Sequence, residues 1–206
     1  MRVLRTATAA EAAWTYLAHS FRFKKQVGPL VRLERLSANE RAVLERDSFP
    51  SDMPPSLDVF VLADEVASGY GETIRNLQWE LREITQEEIG TLFTFVSGFA
   101  GAERYGDGGR GTVRQLAEGW AAYLQAHSGE AATHKALVEE LRSGNRIMEP
   151  LVAENREKDR KTIRASCNRS DAEIPPRIIN GRHRLFAAFE AGIEVRVLWG
   201  RTNGTV

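Results

Sequence analysis

The sequence is short of several features that would narrow its function quickly. It holds one cysteine, Cys167, in 206 residues, so neither a disulfide framework nor a multi-thiolate metal site can form within the chain. No apolar run approaches the ~20 residues of a membrane helix, which argues against a membrane partner. Met1–Arg5 is charged and has no apolar stretch of the kind a signal peptide needs. With the lone thiol, this gives the expectation of a cytoplasmic protein. Charge of one sign is also missing: Lys plus Arg and Asp plus Glu balance at 28 each, so no overall positive field draws in nucleic acid. Repeats of 20 to 50 residues, the mark of solenoids, are absent.

What is present is the composition of a globular chain, 42% hydrophobic and 27% charged, long enough for one domain or slightly more with a substantial core. Three of the seven prolines fall within Ser48–Ser56, where they forbid a helix and mark a boundary. The expected organisation is an N-terminal extension over 1–55 and a domain over 56–206 that carries a helical insertion at about 85–130. In the extension, Thr8–Glu11 and Ser37–Glu40 have capping-box spacing. They open helices over Ala12–His19 and to about Arg46, with a short strand at Val31–Glu34 between them. Farther on, Leu57–Leu62 reads as a buried strand, and Leu77–Arg82 alternates as a second. Thr85 caps a helix with Ile89, Leu92, Phe93 and Val96 on one face, and Thr112 caps another with Val113, Leu116, Trp120, Tyr123 and Leu124. Gly106, Gly108 and Gly111 match a dinucleotide pattern in letters, but that pattern needs a strand before it. Here a helix precedes, and Gly101–Gly111 reads as a flexible loop, with a mobile lid carrying Arg110 at its tip as the lesser alternative.

The last third carries the chemistry. Thr133 opens a helix ending at Gly144, Ile147–Val152 is a strand, and Glu154–Asp171 is a charged insertion. Arg177–Ile179 is a strand, Arg184–Ala191 a helix ending at Gly192, and Glu194–Trp199 the last strand. From Arg142 to Arg201 there are 13 Lys/Arg against 8 Asp/Glu, a local surplus suited either to phosphate or to a solvated surface. Gly181 permits a tight strand-to-helix turn. The first helical N–H groups then lack partners at the positive end of the helix dipole. Arg182, His183 and Arg184 add donors there, and arginine's planar fork matches phosphate oxygens. The alternative is that Arg184 pairs with a local carboxylate and His183 is structural.

Arg177–Val197, with Gly181-Arg182-His183-Arg184 at its centre, resembles the core of the ParB/sulfiredoxin superfamily. So does Leu137–Gly144 followed by Glu149-Pro150. The resemblance spans about Thr133–Trp199. It implies an α/β fold: a small mixed-sheet core at the C-terminus behind an N-terminal α/β extension. It also implies ATP or CTP bound with Mg²⁺, with Gly181, Arg182, His183 and Arg184 on the phosphates and Glu149 and Pro150 lining the same pocket. Glu149 and His183 are the candidate catalytic residues, and no residue is assigned to hold metal. In the serine-kinase branch a glutamate near the first core strand acts as base, a place that Glu80 or Glu83 matches by position alone. Arg182 stands where sulfiredoxins carry their cysteine, which removes that chemistry. Asn180 replaces the common acidic residue, so that position offers neither a base nor a counter-charge. The helix-turn-helix that follows the core in partition proteins has no counterpart after Trp199.

Three functions compete. The first is nucleotide hydrolysis or phosphoryl transfer. The second is a ParB-like nuclease or DNA-binding module, using Arg156, Lys158, Arg160, Lys161, Arg164 and Arg169 on a backbone. The third is a non-catalytic nucleotide sensor whose extension binds a protein partner.

Overall fold

The computed structural model describes residues 1–23, 36–67, 69–95, 110–154 and 175–202. Among the described residues, seven strands form one mixed sheet in the order β1 (Arg2–Ala7), β2 (Leu77–Ile84), β7 (Val195–Thr202), β5 (Leu151–Ala153), β6 (Arg177–Asn180), β3 (Phe93–Phe95) and β4 (Arg110–Thr112). β5 runs parallel to β7 and β3 parallel to β6, while the other neighbours are antiparallel. The α/β class expected from the sequence is the class observed.

Alternation along the strands builds two cores, one on each face of the sheet. Leu77, Trp79 and Leu81 of β2, Leu151 and Ala153 of β5 and Leu198 of β7 pack on one face. There they meet α1 (Ala9–Phe23), α2 (Ala38–Leu44), α3 (Val59–Val66) and α4 (Tyr70–Arg75). Ile84, Val152, Val195, Val197 and Trp199 pack on the other, against α5 (Gln86–Thr91), α6 (Val113–Ala126), α7 (Ser128–Arg142) and α8 (Arg182–Ala191). Two buried tryptophans of the first core find acceptors in the helical layer: Trp14 Nε1 donates to Val43 O at 3.1 Å and Trp79 Nε1 to Ile74 O at 2.8 Å. The first stretch is woven into this sheet, because β1 pairs along β2 and α1 packs on α3 and α4.

Local signals located many boundaries. Ser37, Thr85 and Thr112 each cap their helix in a reciprocal capping box, and α8 ends at Gly192 in the left-handed region (φ 71°). Other expectations need correction. Leu57–Leu62 is no strand: Asp58 accepts from the N–H groups of Phe60 (3.0 Å) and Val61 (3.1 Å) and starts α3. The helix capped by Thr85 stops at Thr91, since Leu92 is extended and Phe93 N donates to Pro176 O at 2.8 Å to begin β3. Thr133 does not open a helix. It lies inside α7, its hydroxyl on Gly129 O at 3.2 Å. The strand expected over Ile147–Val152 is only Leu151–Ala153, and β1 was not anticipated. Arg110 opens β4 rather than tipping a loop. Residues 31–34, 96, 101–109 and 155–171 lie outside the described residues, and with them the expected strand, most of the glycine-dense loop and nearly all of the charged insertion. No described helix is long and apolar enough to cross a membrane.

Candidate functional site at the β6–α8 turn

β6 ends at Asn180, and Gly181 makes the turn into α8 with φ 87° and ψ 25°. Two constraints select glycine. The left-handed backbone disfavours any Cβ, and a Cβ here would stand 2.6 Å from Arg184 Nη2 and 2.8 Å from Pro150 Cβ. The first bond inside α8 runs from Leu185 N to Gly181 O at 3.1 Å. The amides of residues 182–184 therefore have no acceptor within the helix, and no side chain caps it.

Arg184 is the centre of this arrangement. It is 2% exposed, and its Nη1 donates to the carbonyl oxygens of Met148 and, at 3.2 Å, Glu149. Its Nε and Nη2 are buried with no partner. Burial drives its pKa down to about 9, against the opposing pull of Glu149. Open donors on a buried cation are costly, and an anion alongside relieves that cost. Pro150 packs beneath Gly181, and its carbonyl accepts from Leu198 N at 2.9 Å. The Glu149 carboxylate is ion-paired with Arg146. Glu149, Pro150, Gly181 and Arg184 thus meet in one place, Glu149 through its backbone carbonyl and Pro150 through its ring.

Arg182 and His183 engage other elements. Arg182 Nη1 donates to Phe95 O at 3.0 Å, and its guanidinium carbon lies 6.0 Å from the Trp120 ring centroid. His183 Nε2 is 3.0 Å from Glu130 Oε2, and its ring is 5.2 Å from Trp120. A carboxylate accepts only, so Glu130 fixes the imidazole hydrogen on Nε2. That leaves Nδ1 as a bare acceptor, buried without a partner. Desolvation first, then the charge of Arg182, pushes the His183 pKa down to about 4, with Glu130 opposing. His183 is therefore neutral at physiological pH. Glu80 and Glu83 lie apart from the turn, on β2, three strands from β6. Glu80 is bound by Arg82 (2.5 Å) and Arg201 (3.6 Å), and Glu83 by Arg2 (2.6 Å).

Sequence reasoning missed the cluster behind His183. Tyr123 OH donates to Glu130 Oε2 at 2.9 Å. Trp120 stacks with Phe186 (4.1 Å) and Tyr123 (4.9 Å), and His127 stacks on Tyr123 (4.2 Å). Trp120 Nε1 donates to His134 Nδ1 at 3.3 Å, while His134 Nε2 meets Glu190 at 2.8 Å. The signal was available: Trp120, Tyr123, His127, Glu130 and His134 recur at spacings of three and four. Among the described residues, no three His, Cys, Asp or Glu are grouped to hold a metal ion. No protein-family model matches this chain, and neither a curated protein nor a solved structure does.

Proposed function

We propose that this chain binds a nucleotide by its phosphates at the Gly181–Arg184 turn and supports hydrolysis or transfer of a phosphoryl group. The observation that carries the reading is Arg184, a buried guanidinium with two unpartnered nitrogens beneath a glycine turn whose following amides have no acceptor within the helix. Phosphate oxygens supply acceptors to both sets of donors at once. Mg²⁺ brought by the nucleotide would be held mainly by the substrate phosphates, and Glu149, whose carboxylate is paired with Arg146, would be the protein carboxylate that could join them. As an attacking hydroxyl forms the new oxygen–phosphorus bond, its proton passes to solvent and the nucleoside diphosphate departs with the electrons of the old bond; His183, with Nδ1 buried and its pKa pushed down to about 4, is a positioning group held by Glu130 with Tyr123 behind it.

Calorimetric titration of ATP and CTP with Mg²⁺ tests the reading, using wild type, Arg184→Met and Arg182→Ala. Wild type is expected to bind, and loss of the Arg184 charge to weaken binding about tenfold or more in protein with unchanged circular dichroism. Arg182→Ala supplies the same comparison if Arg184→Met fails to fold. Folded wild type that binds neither nucleotide would overturn the proposal. Binding without phosphate release would support a sensor in place of an enzyme.

A further inference from the structure

Among the described residues only a few large apolar side chains are exposed, and Phe95 is the one beside the turn. It is 48% exposed and ends β3, the parallel neighbour of β6. Phe93 is paired with Arg177, so Phe95 is level with Ile179, two residues before Gly181. Strand spacing and rise then put its backbone on the order of 8 Å from Gly181. Arg182 ties the two together through its 3.0 Å bond to Phe95 O. The Arg110 guanidinium lies over the Phe95 ring, 5.2 Å from its centroid. The backbone that carries the exposed ring and its arginine is therefore separated from the phosphate-type turn by about the reach of a ribose.

We infer that Phe95, with Arg110 at its face, is a stacking platform for the base of the bound ligand. The inference rests on the nucleotide reading above and deepens it: it gives the base of that ligand a place beside the phosphate turn. A single exposed phenylalanine is ordinary on a protein surface. Here the ring comes with a cation suited to aromatic faces and stands next to donors suited to phosphate. Stacking accepts any base, because every base presents a π-face, so the platform selects for a base without choosing which one.

The test compares inorganic tripolyphosphate, ATP and CTP, each with Mg²⁺, on wild type, Phe95→Ala and Phe95→Tyr. Tripolyphosphate reads the turn alone, and its affinity is expected to be the same in all three proteins. ATP and CTP are expected to bind about tenfold more weakly to Phe95→Ala and to regain wild-type affinity in Phe95→Tyr. Equal loss for tripolyphosphate would make Phe95 a structural support and overturn the platform. So would nucleotide affinity that Phe95→Ala leaves intact. If neither tripolyphosphate nor nucleotide binds folded wild type, the phosphate reading itself fails, and the platform with it.

Discussion

Gly181 is where backbone, packing and site chemistry coincide, so a single methyl group there tests all three. Gly181→Ala places a Cβ in the left-handed region and against the Arg184 guanidinium and Pro150. Left-handed backbone costs an L-residue roughly 1–2 kcal/mol, and overpacking adds roughly 1–3. A loss of about 3 kcal/mol in urea unfolding is expected, and a change within about 0.5 kcal/mol, typical of a neutral surface site, would contradict this account of the turn. Gly181 and Arg184 were legible because they sit within four residues of one another in a recognisable order. The partner of His183 was not legible, since Glu130 lies on another helix and only packing brings it near. That burial has a pH signature. Unfolded, His183 takes up its proton near 6.5; folded, it does so near 4. Between those values the unfolded chain binds the proton and the folded chain does not. Stability therefore falls as pH drops from about 6.5 to about 4, and this group has no effect on it above that window. The full difference is roughly 3 kcal/mol. Urea midpoints at pH 7 and pH 4.5 should separate more in wild type than in His183→Asn; equal separation would place the acid sensitivity elsewhere.

Elements were legible where their instructions are local. The capping boxes at Ser37, Thr85 and Thr112 each read from four consecutive residues, and each forms. Length and alternation misled where a distant partner or a single side chain decided. Leu57–Leu62 is a short apolar run, which periodicity cannot assign to helix or strand. The Asp58 carboxylate decides it by accepting two amide protons at the start of α3. Asp58→Ala should cost about 1 kcal/mol and Asp58→Asn much less. A thermal or urea series reads the pair, and an equal loss in both would point to charge rather than capping. α5 shows the other case. Its capping box starts a helix, but pairing of Phe93 with the chain near Pro176 and Arg177 draws the next residues into a strand. A contact so remote in sequence leaves no local trace.

At the scale of the molecule, the proline-rich segment Ser48–Ser56 reads in sequence as a boundary, yet the sheet runs across it. β1 covers one side of β2, and β7 covers the other. Ala12, Ala13, Trp14, Leu17 and Leu44 from before the prolines share a core with Ala63, Ile74, Trp79 and Leu151 from after them. Without residues 1–55, β2 becomes an edge strand with unpaired amides and an uncovered apolar face, a template for aggregation. The turn at Gly181 depends on the same sheet, because Pro150 and Leu198 hold it from below through β5 and β7. The 206-residue chain should therefore unfold in one transition, with far-ultraviolet dichroism and tryptophan fluorescence coinciding. A chain spanning 56–206 should show no cooperative transition and should bind a hydrophobic dye. If that shorter chain instead unfolds cooperatively and binds nucleotide like the whole protein, the first 55 residues are a separable addition, and β1 and α1 cover a sheet that can stand without them.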